Sequence, residues 1–263
     1  MIETHSLHPR LLSEPVDIHL VGCGGNGSQM LTGLARLDVA LRALNHPGFH
    51  VTAFDPDSVS AANIGRQLFA PADVGLNKAT VLIHRLNAFY GLPWSAEPTV
   101  WRARAGKPHI VISCVDTRAA RAHIHHVLSL QGWHPFYWMD LGNRAADGQV
   151  VLGIPAWNQK HARNPLRLPT AAELFPEIAD TRIPEDNTPS CSLAEALGRQ
   201  ELFVNQAVVT AALQLLWGLF RTGQTDWHGA FVNLKSGRMA PLAVDREAWK
   251  RLGFEHRPRK NKK

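Results

Sequence analysis

The sequence predicts an α/β fold: a Rossmann-like, doubly wound and mainly parallel sheet with helices on both faces and a C-terminal extension. Three observations carry that prediction. A short run of branched apolar residues, Ile18-His-Leu-Val21, feeds straight into a glycine turn, Gly22-Cys-Gly-Gly-Asn-Gly27. Beyond the turn Met30, Leu31, Leu34, Leu37, Leu41 and Leu44 recur at steps of three and four residues, which sets one helix face on a core. Strand and helix patterns then alternate over about 140 residues, the arrangement that builds parallel sheets.

Taken in order, Ile18–Val21 is the first strand and the helix from Ser28 ends at the breaker Asn45-His-Pro-Gly48. Phe49–Phe54 closes a right-handed βαβ unit with Asp55 at its end. A helix is expected from about Asn77 to Tyr90, a short strand within Ser95–Val100 and a buried strand at Ile110–Cys114. A helix over Ala119–Gln131, a strand at Phe136–Asp140 and a further one at Gln149–Ile154 come next, the last paired through the turn Asn143–Gly148. Five prolines fall within Pro165–Pro189, where Thr170-Ala-Ala-Glu173 offers a capping box. A long helix is expected from Leu193 to Phe220, then a strand at Gly229–Leu234 and a segment at Pro241–Lys250. The reading is one domain over 1–256, with a nucleotide-binding core at 15–155, a crossover at 156–191 and a C-terminal helix and strand at 192–256.

Charge and composition exclude several classes of function. The 263 residues are 45% hydrophobic, too apolar for a disordered chain, and carry only 3 cysteines, Cys23, Cys114 and Cys191. With no CxxC pair, neither a disulfide framework nor a four-cysteine zinc site can be built, and a reducing, cytoplasmic setting is expected. Met1-Ile-Glu-Thr-His5 has no basic region followed by an apolar core. The most apolar stretch, Val208–Phe220, contains Gln214 and falls short of the roughly 20 residues that span a bilayer, so no membrane role is expected. The net charge of +6 includes five cations in the last seven residues, Arg257–Lys263. The excess is expected to be a disordered tail rather than a charged face, so nucleic acid is expected to bind at most weakly, through that tail.

Gly22, Gly24 and Gly27 fit the G-x-G-x-x-G pattern, with Gly25 between them, and stand between a strand and a helix. There backbone N–H groups and a helix N-terminus meet phosphate. Asp55, ending the second strand, is the expected partner of ribose hydroxyls. A dinucleotide dehydrogenase is the usual owner of such a loop, but the residues beyond Asp55 carry more charge than hydride transfer needs. Asp57, Asn63, Arg66 and Gln67, Lys78 at a helix start, and Asp116 after a strand place cations and an amide by the phosphates and an acid where a divalent ion would sit. Phosphoryl or nucleotidyl chemistry requires that neutralisation.

These residues, in this order from Ile18 to Asp116, resemble the superfamily of ubiquitin-activating enzymes and their bacterial relatives ThiF, MoeB and HesA. The runs Thr188-Pro-Ser-Cys-Ser-Leu193 and Arg199-Gln-Glu-Leu-Phe-Val-Asn-Gln206 look, more narrowly, like the ThiF-family proteins of PRTRC cassettes on bacterial mobile elements. The resemblance implies an adenylation domain, commonly homodimeric, that binds Mg·ATP and attaches AMP to the C-terminal carboxylate of a small ubiquitin-like protein. By it, Asp55 holds the ribose, Asn63, Arg66 and Lys78 hold the phosphates with Gln67 in support, and Asp116 binds Mg²⁺. Family members often borrow an arginine from the partner's N-terminus, for which Arg10 is the nearest candidate. Cys191 comes after the crossover within Pro189-Ser-Cys-Ser192, similar to the run that carries the family's thioester-forming nucleophile. A thiol at a helix start is activated by the backbone dipole; the alternative is a packing residue. The ThiF and MoeB branch carries two CxxC pairs for zinc, which this chain lacks, so no zinc is expected.

Cys23 and Cys114 are expected to be packed and inert. His123, His125 and His126 do not share one helix face and are expected to be polar surface. The eight tryptophans are expected to be core or interface anchors. Two other functions remain open at this point: a nicotinamide-dependent oxidoreductase, and a non-catalytic nucleotide-binding adaptor in a plasmid-maintenance complex.

Overall fold

The computed structural model describes residues 2–102, 106–130, 135–158, 162, 164, 167–185, 198 and 200–255. The N-terminal stretch contributes a two-residue strand, β1 (His5–Ser6), and a one-turn helix, α1 (Arg10–Ser13). The alternation then runs β2 (Val16–Val21), α2 (Gly25–Ala43), β3 (Phe49–Phe54), α3 (Lys78–Tyr90), β4 (Ser95–Glu97), β5 (Ile110–Ser113), α4 (Arg118–Leu128) and β6 (Tyr137–Asn143). The remainder is β7 (Asp147–Gly153), α5 (Ala171–Leu174), α6 (Val204–Thr222), β8 (Gln224–Thr225), β9 (Trp227–Asn233), β10 (Arg238–Ala243) and α7 (Arg246–Arg251).

Eight strands form one sheet in the order β10-β9-β7-β6-β5-β2-β3-β4. The five from β6 to β4 are parallel, and β7, β9 and β10 continue it antiparallel; β7 and β9 correspond to the expected strands at Gln149–Ile154 and Gly229–Leu234, and β10 is a strand the sequence reading left unassigned. β2 and β5 are buried almost throughout because helices cover both faces of the sheet. On one face α2, α3 and α6 lie over the main apolar core, where Leu20, Ile112, Met139 and Leu216 are fully buried. The approach of α2 to α6 is so close that a Cβ on Gly33 would come within 2.1 Å of Leu213. On the other face α4 packs a second cluster around Trp101, Ile124 and Trp138. A third, under α7, is built on Trp249 and Leu242.

Most boundaries fall within a few residues of the sequence reading, and the differences have local causes. Helix α2 begins at Gly25, inside the glycine loop, because the loop itself makes its first turn. Asn77 caps α3, its side-chain oxygen accepting the Thr80 N–H at 3.0 Å. The Thr170–Glu173 box forms as expected, with Glu173 Oε2 accepting the Thr170 N–H at 2.8 Å. The long C-terminal helix runs from Val204, not Leu193; residues 186–197 and 199, with Cys191 and the crossover motif, lie outside the described residues, as does the tail from 256 onward. Trp101, Trp138 and Trp249 are core anchors, and Trp133 is not described. No helix among the described residues is long and apolar enough to cross a membrane.

Candidate functional site

In a parallel sheet the C-terminal strand ends and the loops after them gather at one edge, where helix N-termini also point. Here the loop after β2, Asp55 after β3 and Cys114–Asp116 after β5 converge on a cavity of about 630 Å³. Its walls include Gly22, Gly24, Gly25, Asp55, Asp57, Arg66, Gln67, Lys78 and Asp116, so nine of the residues singled out in the sequence share it. Gly27 and Asn63 are not in the lining.

The glycines make the cradle. Gly22 turns with φ +90°, and a Cβ there would lie 2.9 Å from Cys114 O. Gly27 lies against the same turn, where a Cβ would fall 1.8 Å from Gly22 O. Gly24 has open space where its side chain would be and lines the cavity. The N-terminus of the 19-residue α2 starts there without a side-chain cap, so its first N–H groups are available to an anion.

Asp55 is 5% exposed. Its Oδ2 accepts the Cys23 N–H at 2.5 Å and its Oδ1 the Asp57 N–H at 2.8 Å, so it ties the glycine loop to the next turn. Burial raises its pKa, and these two N–H groups partly oppose the rise. Each oxygen retains a lone pair for a hydroxyl donor. Lys78 opens α3 and donates from Nζ to Asp57 Oδ2 at 3.0 Å. Arg66 Nη1 donates to Gln200 Oε1, and its Nε is buried with no acceptor. Burial lowers the Arg66 pKa while the nearby Asp116 carboxylate opposes the shift. Gln67 Oε1 is likewise buried and unpaired. Asn63 is occupied locally, its Oδ1 accepting from the Ser60 N–H at 2.9 Å as a helix cap.

The sequence reading missed a cluster of three amides. Asn205 Nδ2, at the start of α6, donates to Asn26 Oδ1 at 2.8 Å and to Asn143 Oδ1 at 3.1 Å, and Asn26 Nδ2 donates to Asn143 at 2.9 Å. The cluster welds the glycine loop, the end of β6 and α6 together, and Asn205 Oδ1 stays buried and unpaired beside the cavity. A Cβ on Gly25 would come within 2.7 Å of the Asn205 amide, so that glycine leaves room for it. His123, read as plain helix surface, also lines the cavity and donates from Nε2 to Trp101 O at 3.2 Å. Arg121 and Gln200 complete this wall.

Arg10 pairs with Glu14 at 2.7 Å before β2, at the opposite end of the sheet from the cavity. Cys23 and Cys114 are buried, which raises both thiol pKa values and keeps them protonated. Among the described residues no group of three or more His, Cys, Asp or Glu converges as metal ligands. A second cavity of about 550 Å³ lies over β6, β7, β9 and β10 and shares Asp116, Arg121 and Asn143 with the first.

No curated protein sequence matches this chain. The crystal structure of PaaA is similar in fold, with a TM-score of 0.52 at 16% identity; the match covers 89% of this chain and 65% of PaaA. A structure titled TcdA (CsdL) matches 42% of this chain and 45% of its own at 24% identity, with a TM-score of 0.36. The model of the ThiF family matches residues 12–250, across the glycine loop, the cavity and the antiparallel extension. The chain belongs to the ThiF family.

Proposed function

We infer that this protein is an ATP-dependent activating enzyme that adenylates the C-terminal carboxylate of a small ubiquitin-like protein. One observation carries the reading: Arg66, Lys78 and Asp116 face a single cavity with an uncapped helix N-terminus, and Arg66 Nε is buried there without an acceptor. A buried guanidinium N–H without a partner is costly, and a turn of Arg66 away from Gln200 into the cavity would give it a phosphate oxygen as acceptor. The donors suit a nucleoside triphosphate: backbone N–H groups and two cations for phosphates, Asp55 for ribose hydroxyls. Mg²⁺ takes one or two carboxylates and completes its shell with phosphate oxygens and water, so Asp116 is enough to hold it. When bound, the ion neutralises phosphate charge and orients the triphosphate.

Catalysis is then alignment and charge stabilisation. The tail carboxylate attacks the α-phosphorus; a bond forms from carboxylate oxygen to phosphorus, the bond to the bridging oxygen breaks, and pyrophosphate leaves with the electron pair. No proton moves. Arg66 and Lys78 face the charge that builds on the departing group, which requires Arg66 to turn from Gln200 and Lys78 from Asp57. The second cavity supports the reading, because it meets the first at Asp116, Arg121 and Asn143 and contains none of the glycine loop, so an extended tail has room beside the nucleotide site.

On the same reading the protein acts as a cytoplasmic homodimer of the PRTRC-cassette type, and the Cys191 thiol, its proton lost to solvent, attacks the acyl carbon of the adenylate; a C–S bond forms, the bond from the acyl carbon to the phosphate oxygen breaks, and AMP leaves. The test is ATP–pyrophosphate exchange in the presence of a ubiquitin-like partner with a free carboxylate terminus. Exchange is expected with the free carboxylate and not with the amidated form; no exchange with either overturns the reading.

A further inference from the structure

The three side chains that line both cavities, Asp116, Arg121 and Asn143, mark the seam between them. Arg121 comes from the fourth position of α4 and is 8% exposed. Its Nε lies 3.3 Å from both oxygens of Asp140 on β6, which is fully buried. Its Nη2 donates to Val115 O at 2.7 Å and to Leu141 O at 3.3 Å. Asp140 is itself held, since Oδ1 accepts the Ser113 hydroxyl at 2.5 Å and that hydroxyl accepts the Trp138 indole N–H at 2.7 Å. The chain passes close beneath: a Cβ on Gly142 would lie 3.2 Å from Arg121 Nη2. The guanidinium plane is therefore fixed on the ends of two strands. The bonds that hold it use Nε and Nη2, which leaves the N–H groups of Nη1 without an acceptor among the described residues, in a side chain that lines both cavities.

We propose that Arg121 holds the attacking carboxylate of the substrate through Nη1, and that Asp140 is a positioning residue acting through Arg121. The proposal rests on the adenylation reading above. In that reaction a carboxylate oxygen must sit in line with the α-phosphorus at the meeting point of the two cavities. A rigid guanidinium whose other N–H groups are already spent binds a carboxylate without reorganising. It also offsets the repulsion between two anions brought together. Arg121 neither gives nor takes a proton.

The probe is an acetylated pentapeptide ending in Gly-Gly, with a free carboxylate or a C-terminal amide. It is titrated onto the full chain loaded with α,β-methylene-ATP, which cannot transfer its adenylyl group. Native protein should prefer the carboxylate by about tenfold, the scale of a hydrogen bond to a charged group. Two variants are compared: Arg121→Lys, which keeps a charge beside Asp140 but loses the fork, and the double variant Arg121→Gln, Asp140→Asn, which leaves no buried charge unpaired. Both should bring the preference below about twofold, read at saturating nucleotide, with the nucleotide affinity of each variant measured separately to set that concentration. A native preference near one, or a preference that survives in both variants, overturns the role of Arg121. Either result leaves partner-dependent pyrophosphate exchange untouched, whereas loss of that exchange in the native protein overturns the adenylation reading itself.

Discussion

Acid should destabilise this protein through histidines that the fold keeps neutral, and His228 shows by how much. Its ring is fully buried on β9. Nδ1 lies 2.8 Å from Leu152 O, which can only accept, and Nε2 lies 2.8 Å from the Trp249 indole nitrogen, which can only donate. The partners thus fix the tautomer with its proton on Nδ1, and a second proton on Nε2 would face an N–H. Burial holds the pKa at about 4, against 6.5 for an exposed ring. A base with a depressed folded pKa leaves stability intact above the unfolded pKa. It loses stability as pH falls from 6.5 toward about 4, because the unfolded chain takes up the proton first. Between pH 7 and pH 4.5 that linkage amounts to about 2.5 kcal/mol from this one site. Urea unfolding at both pH values, followed by tryptophan fluorescence, should show the native protein losing about 2.5 kcal/mol more than His228→Gln over the interval. Equal losses in the two proteins would refute the reasoning.

Further outcomes are expected at the site. Replacing Gly27 by Ala puts a Cβ 1.8 Å from Gly22 O, so the loop must open. A cost of about 1–3 kcal/mol in urea unfolding and loss of ATP binding are expected, and native affinity in the variant would show that the loop yields freely. Cys191→Ser should abolish a thiol-sensitive conjugate with the ubiquitin-like partner; a conjugate that persists in the variant removes Cys191 from the chemistry.

The strand-turn-helix entry was legible because its signals are local: branched residues at Ile18–Val21, glycines at fixed spacing, and apolar periodicity through α2. Asp55, Asp57, Lys78 and Asp116 were legible for a related reason, since each comes just after a strand or opens a helix and the fold brings those positions to one edge, whereas Arg66 and Gln67 lie within the long loop between β3 and α3 and were legible only from their motif. The amide cluster was not. Asn205 meets Asn26 across 179 residues of chain, and nothing in the local pattern of either separates a buried contact from a polar surface. Arg121 was hidden in the same way: its partner Asp140 sits inside an apolar strand, where only the tertiary pairing of β5 with β6 explains a carboxylate. Asn63 has a local role that the motif does not reveal, since its side-chain oxygen caps a short turn and only its Nδ2 is left to donate to a phosphate. The paired histidines and tryptophans, His19 with Trp101 and His228 with Trp249, became visible only once the sheet and its flanking segments were assembled.

The central claim is that one cavity activates a carboxylate with ATP, and the most direct measurement is ATP–pyrophosphate exchange by native protein, Arg66→Ala and Asp116→Ala. Native protein should exchange only when the partner's free carboxylate terminus is present, and each variant should lose at least about 100-fold in rate, the scale of one transition-state contact. Native protein without exchange, or variants that exchange at the native rate, would contradict it.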